Sequence, residues 1–177
     1  MLDACTLLTC SFHRLMYWTQ YPAHGDASIF RGEMDGSNAR RIISDLDLPC
    51  GIVIDFESSR LYWADDRGKR IESSDMEGGG RHVVLSSLPK GPFGLALAYG
   101  RLYWGYYSSQ EVQSSTKDGR DIRIEYNGSA NVRHFAMSPW NASKDRTNHC
   151  EKTACEYVCI LTRSSSRCVD RYGNRNG

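Results

Sequence analysis

A Tyr-Trp pair occurs three times in this 177-residue chain, at Tyr17-Trp18, Tyr62-Trp63 and Tyr103-Trp104, so that successive pairs stand 45 and then 41 residues apart. Each pair sits in a similar stretch: LMYWTQ over 15–20, RLYWAD over 60–65 and RLYWGY over 101–106. Self-similarity at a period of about 40 residues marks a repeat array, in which each unit buries its apolar face only against its neighbours.

Inside the repeats the pattern is one of short strands. Before the second pair, Gly51 to Phe56 is almost wholly apolar, as expected of an inner strand buried on both faces. After it, Arg70 to Met76 mixes Ile71 with Glu72, Ser73, Ser74 and Asp75 and reads as a half-exposed strand. The run Glu77-Gly78-Gly79-Gly80 has hairpin-turn chemistry, and Arg81 to Leu85 supplies a fourth strand. The third repeat has the same order: Gly94–Tyr99, Leu102–Tyr106, Glu111–Thr116, a Lys117-Asp118-Gly119 turn, then Asp121–Tyr126. The first repeat has Leu15–Gln20, Ser28–Met34, an Asp35-Gly36 turn and Ala39–Ser44, with Cys5–Cys10 as its opening strand. A further inner strand is expected over Val132–Met137. The chain is therefore read as all-β, with four-stranded blades arranged as in a propeller and repeats around 15–45, 51–88 and 94–126. The alternation of side chains along a strand makes Tyr17, Trp18, Tyr62, Trp63, Tyr103 and Trp104 packing residues between blades.

Charge excludes two classes of partner. Twenty-two basic and 21 acidic residues give a net charge of +1 with no basic cluster, so neither nucleic acid nor an anionic membrane surface is favoured. No stretch reaches 18 apolar residues, and none of this chain inserts into a membrane. Cysteine placement says more. Cys150, Cys155, Cys159 and Cys168 crowd the last 28 residues, which suggests a disulfide-stapled module from an oxidising compartment; zinc ligation fits the gaps only in part. Cys5, Cys10 and Cys50 are spread over the rest, and their pairing stays open. Sequons at Asn127 and Asn141 agree with a secretory route. Met1-Leu2-Asp3 lacks the basic start of a signal peptide, so the expectation is a fragment of a longer extracellular chain. The polar stretch 138–148 reads as a linker and 171–177 as a disordered tail.

Chemistry finds no foothold. The five His stand at no metal-ligand spacing, and no nucleophile-elbow, Walker or dinucleotide-binding frame occurs in a suitable context. No catalytic residue, cofactor or metal is assigned.

The order of these motifs resembles a known family. The Tyr-Trp stretches, the Met34-Asp35-Gly36-Ser37 and Met76-Glu77-Gly78-Gly79 turns, Pro92 to Leu97 ahead of Leu102-Tyr103-Trp104, and the terminal cysteines look like the YWTD (class B) repeats and following EGF-like module of the low-density lipoprotein receptor and its related proteins. The resemblance covers roughly residues 14 to 170. It implies a partial six-bladed-type propeller over 1–137, about three blades plus one strand, and a truncated EGF-like module over 149–170 paired Cys150–Cys159 and Cys155–Cys168. It also implies that the last strand has its blade partners elsewhere, in the remainder of its own propeller. Unpaired edges then predict that the chain alone is unstable as a monomer. Calcium is not expected, because 147–151 lacks the acidic ligand set.

The family motif is degraded here. Asp65 keeps the acid of the fourth motif position, which is Gln20 in the first repeat and Tyr106 in the third. Lost polar clamps are expected to leave buried groups unpaired, at roughly 1–3 kcal/mol each. The resemblance also implies that the residue after each motif emerges on a ligand-binding face, and here these are Tyr21, Asp66 and Tyr107: aromatic contact surface and a steering charge. The expected function is non-enzymatic binding of extracellular protein ligands, for endocytosis or signalling, including the Wnt co-receptor type, within a single-pass membrane receptor ectodomain. A nidogen-like matrix protein or an EGF-precursor-like protein is the alternative.

Overall fold

In the computed structural model, residues 7–10, 15–21, 26–33, 36–107, 109–132, 158–161 and 166–169 are described. The chain divides into two compact units, Met1–Ser138 and Pro139–Gly177. The first holds three antiparallel four-stranded sheets, each formed by consecutive strands. Blade 1 is β1 (Leu7–Cys10), β2 (Leu15–Gln20), β3 (Ala27–Glu33) and β4 (Arg40–Leu46). Blade 2 is β5 (Pro49–Asp55), β6 (Arg60–Asp65), β7 (Arg70–Asp75) and β8 (His82–Leu85). Blade 3 is β9 (Pro92–Ala98), β10 (Arg101–Tyr106), β11 (Ser109–Thr116) and β12 (Arg123–Val132). The second unit contains a two-stranded antiparallel sheet of β13 (Val158–Leu161) and β14 (Ser166–Val169).

Packing follows from the pleat. Neighbours on a strand point to opposite faces, so each Tyr-Trp pair divides its side chains between two interfaces. The core between blades 1 and 2 contains Tyr17 from the first and Trp63 from the second; the core between blades 2 and 3 contains Tyr62 and Trp104. All four are buried, as expected of packing residues. Trp18 and Tyr103 are only half-buried. They point away from these two interfaces, and Trp18 stacks on Phe30 of its own blade at 5.7 Å.

Three expectations need correction. The third strand of blade 2 is not half-exposed: Ile71 to Ser74 are all buried. Arg81 and Arg70 neutralise Glu72 at 3.0 and 3.3 Å, and Arg60 donates to Ser73 Oγ at 3.1 Å, so polar side chains enter the interface already paired. The strand expected over 132–137 is not separate where it begins, because β12 runs on to Val132, paired with Ser109. Bulges in the β11–β12 ladder accommodate the added length; residues 133–137 lie outside the described residues. Lastly, the missing acid of the third repeat leaves no buried side-chain polar atom unpaired at that position. Tyr106 replaces it with a hydroxyl that accepts from Trp104 Nε1 at 3.2 Å and donates to Gln113 at 2.8 Å.

Where the acid is kept, it joins blades. Asp65 is fully buried and accepts from the backbone N–H of Leu48 at 2.8 Å, Asp47 at 3.2 Å and Gly68 at 3.3 Å, and from the Arg70 guanidinium at 3.0 Å. The carboxylate therefore anchors the segment that carries the chain from blade 1 into blade 2.

The third-to-fourth strand turns repeat a second joint. Gly36, Gly78 and Gly119 all have φ between 80° and 92°, and Asn38, Gly80 and Asp121 follow at 51° to 59°. In blade 2 a Cβ on Gly78 would collide with the Ile42 carbonyl of blade 1, and in blade 3 one on Gly119 would collide with the Val84 carbonyl of blade 2. Only glycine supplies both the left-handed conformation and the close approach. A Cβ on Gly36 meets nothing within 4 Å. Salt bridges flank both joints: Glu77 binds Arg31 and Arg40, and Lys117 binds Asp55 at 2.7 Å.

Gly119→Ala is expected to lower the unfolding free energy by about 2–4 kcal/mol and Gly36→Ala by about 1 kcal/mol, because only the first adds a collision to the backbone strain. Urea titration of both variants checks the difference. Asp65→Ala is expected to cost on the order of 2–4 kcal/mol in the same assay, since it strands buried N–H donors and the Arg70 charge. The Asp55–Lys117 pair sets a pH window. Burial pushes the Asp55 carboxyl up, but hydrogen bonds from Lys117 and Ser58 outweigh it and the net pKa is lowered; the hydrogen bond to Asp55 chiefly raises Lys117. A lowered acid stabilises above its unfolded pKa of about 3.9, and a raised lysine below its unfolded value of about 10.4. Lys117→Met should therefore destabilise at neutral pH by about 1 kcal/mol, and the gap from the parent should close as acid protonates Asp55. Thermal melts from pH 7 to pH 3 measure this.

Candidate functional site

Residues 21, 66 and 107 each follow the second strand of a blade, so the fold puts them at the same end of equivalent strands. Successive contacts link them into a row. Tyr21 is half-buried, packs against the core between blades 1 and 2, and accepts a hydrogen bond on its hydroxyl from Arg67 Nη1 at 2.8 Å. The same guanidinium lies 5.4 Å from the Tyr21 ring centroid. This cation–π and hydrogen-bond pairing ties blade 1 to blade 2 at the rim.

Asp66 is half-buried, with its carboxylate against Gly91. Its backbone N–H donates to Leu48 at 2.9 Å, and its carboxylate lies so close to Gly91 that a side chain there could not fit. Burial, and then the neighbouring Asp65 carboxylate, push its pKa up, with Arg67 offsetting part of the rise. The exposed charge next to it is Arg67, a residue the motif spacing did not single out. A Tyr-Trp pattern identifies the position after the motif but cannot say which of two adjacent residues points outward.

Tyr107 is the open end of the row. It is 54% exposed, and its ring leans at 60° on Phe93, 5.3 Å between centroids. Phe93 comes from β9 and was likewise not singled out; what could mark it is its place opposite the end of β10, where Pro92 pairs with Tyr106. A charged cluster joins blades 1 and 2: Arg70 reaches Asp47 at 3.5 Å and Asp65 at 3.0 Å, while Arg81 donates to Glu72 and to the Ser44 carbonyl and lies over Trp63 at 5.8 Å. The rim thus offers an aromatic platform at blade 3 and fixed cations toward blade 1.

A separate hollow of about 330 Å³ lies beside blade 1, lined in part by Leu15, Arg31, Asn38 and Arg40. Leu15 holds the place that Arg60 and Arg101 hold in the other repeats, where their guanidinium groups bind Ser73 and Gly80, or Ser114 and Asp121. The shorter apolar side chain leaves that space unfilled.

Of the remaining sequence-predicted residues, Asn127 is exposed on β12 and pairs with Glu111. Cys159 and Cys168 stand directly opposite each other in the β13–β14 ladder. Cys150, Cys155 and Asn141 lie outside the described residues, and with them both expected disulfides. Among the described residues no three His, Cys, Asp or Glu side chains are grouped to hold a metal ion, and no helix is long and apolar enough to cross a membrane.

No family model matches the chain. It is 32% identical over 153 residues to the vitellogenin receptor Yl of Drosophila melanogaster, a match covering 83% of this chain and 7% of that protein. A vitellogenin receptor of Solenopsis invicta is 29% identical over 156 residues, covering 84% and 8%. Among solved structures, one from a nidogen/laminin complex superposes with a TM-score of 0.66 at 26% identity, covering 74% of this chain and 51% of that one. A gluconolactonase from Xanthomonas campestris superposes at 0.59 with 19% identity, covering 73% and 49%, a likeness of fold alone. The chain thus spans under a tenth of these receptors and about half of these propellers. The three motif-bearing blades, joined in this order, and the receptors that match them show that the chain belongs to the low-density-lipoprotein-receptor-related family of YWTD-repeat proteins.

Proposed function

We propose that this chain is a non-enzymatic, extracellular ligand-binding segment of a receptor of that family, part of a single-pass ectodomain that captures a protein ligand for internalisation. The observation that carries this reading is the rim. Tyr21, Arg67, Asp66, Phe93 and Tyr107 form one row across three blades, and Tyr107 ends it as a half-exposed ring on an aromatic support. A rigid aromatic beside fixed charge is the composition from which protein-binding hot spots are made. The relatives are named as vitellogenin receptors, which favours uptake of a yolk-precursor type of protein over Wnt co-receptor signalling. In the same reading, Cys150–Cys159 and Cys155–Cys168 staple an EGF-like module after the blades, and Asn127 and Asn141 carry glycans.

A second reading has its own support. The likeness to a chain of a nidogen/laminin complex favours a matrix scaffold whose partner is laminin.

Purified vitellogenin and laminin passed separately over the immobilised chain distinguish the two. We expect vitellogenin to bind and Tyr107→Ala to weaken it by about tenfold, with an unchanged thermal melt because Tyr107 lies outside the cores. Laminin binding alone would favour the scaffold. Binding of neither protein, or full affinity in the variant, would remove the case for the rim.

A further inference from the structure

Between β6 and β7 the chain reads Arg67-Gly68-Lys69-Arg70, and this order of arginine, any residue, lysine, arginine occurs once in the 177 residues. A serine protease specific for paired basic residues reads such a run by taking each basic side chain into a pocket of carboxylates. The bond it cuts follows the last arginine, here Arg70–Ile71. Exposed loop tips are where such nicking concentrates.

The fold offers the outer basic residues and withholds the bond. Arg67 and Lys69 are exposed. Arg70 opens β7, and its guanidinium is held by Asp65 at 3.0 Å, Glu72 at 3.3 Å and Asp47 at 3.5 Å. These carboxylates already occupy the group that the protease's own acids would have to take. On the other side of the bond, Ile71 is fully buried and paired with Ala64 in the β6–β7 ladder. The run is also bent where a protease needs it extended. The Lys69 N–H donates to the Asp66 carbonyl at 3.1 Å, the Gly68 N–H donates to Asp65 Oδ1 at 3.3 Å, and Lys69 sits at a φ of 49°. The Lys69 carbonyl in turn accepts from the Leu88 N–H at 3.1 Å.

One carboxylate controls both features. Asp65 accepts from the N–H groups of Asp47 and Leu48, which carry the chain from blade 1 into blade 2, and also holds Arg70. We propose that Arg67–Arg70 is a latched cleavage site for a serine protease specific for paired basic residues, closed while the Asp65 clamp joins blades 1 and 2 and open when that joint is not made. Cleavage is hydrolysis: water adds across the Arg70–Ile71 amide, the C–N bond breaks, and Arg70 is left with a carboxylate and Ile71 with an amine. The cut would separate β6 from β7 and so mark a chain whose blades have not docked. This inference does not depend on the identity of any ligand.

Incubation of the full chain with a purified proprotein convertase at neutral pH, read by the masses of the products, tests it. The parent should stay whole. Asp65→Ala should be cut after Arg70 at least about tenfold faster, because the rate follows the open population when reclosing outpaces cleavage. Asp65→Asn keeps an oxygen for the backbone donors and removes the charge that holds Arg70, and its rate should fall between the two. Gly119→Ala loosens the joint between blades 2 and 3 and leaves the clamp intact, so it should be cut within about twofold of the parent. Arg67→Ala placed in the Asp65→Ala chain should abolish the cut, since Arg67 is the fourth residue before the bond. A parent cut as fast as Asp65→Ala, or equal rates for Asp65→Ala and Gly119→Ala, would overturn the latch. Failure of Asp65→Ala to be cut after Arg70 would overturn the site whether or not that variant folds, because an unfolded chain presents the run freely.

Discussion

Everything in the first unit depends on sheets stacked face to face through a shared dipeptide. A strand pleat sends adjacent side chains to opposite faces, so one Tyr-Trp pair seals two interfaces at once. Trp63 fills the joint behind blade 2 and Tyr62 the joint ahead of it. Among the described residues no blade has a core of its own. A four-stranded sheet with two apolar faces gains stability only from neighbours on both sides, and stability is therefore a sum of interface contributions along the array. The half-buried states of Trp18 and Tyr103 follow from the same rule.

Polar groups determine how the blades meet rather than whether they do. Asp65 fixes the connection between blades 1 and 2, the turn glycines fix the approach, and Lys117 with Asp55 fixes the far end. Each is buried or close-packed and matched to a partner, as the cost of an unpaired buried group demands. Blade 3 shows that the match can change chemistry. Tyr106 satisfies Trp104 and Gln113, while Trp63, in the blade that keeps the acid, has an indole N–H without a hydrogen-bond acceptor and lies beneath the Arg81 guanidinium instead. The rim inherits its order from these joints, since Tyr21, Asp66 and Tyr107 are displaced by one residue from the clamp positions.

Strand count, strand order, turns and the family were legible because each rests on local periodicity repeated three times. The site was legible only as positions. Nothing local distinguishes Asp66, whose carboxylate is pressed against Gly91, from Arg67, which reaches over to Tyr21; the difference comes from residues 25 and 46 positions away. The buried state of Glu72, Ser73 and Ser74 was hidden for a similar reason. A polar run reads as exposed until Arg81 and Arg60, from outside the strand, join Arg70 in pairing with it.

By itself, then, the amino-acid sequence determined the repeat, the all-β class, the strand order within a repeat and the turn glycines, since dihedral preference and side-chain alternation act within a few residues. The tertiary structure alone decided which polar residues are buried and which of two adjacent charges is exposed. Those outcomes depend on contacts between different strands and blades, from Arg81 with Glu72 to Arg67 with Tyr21, where burial and pairing are properties of the joint and not of either strand.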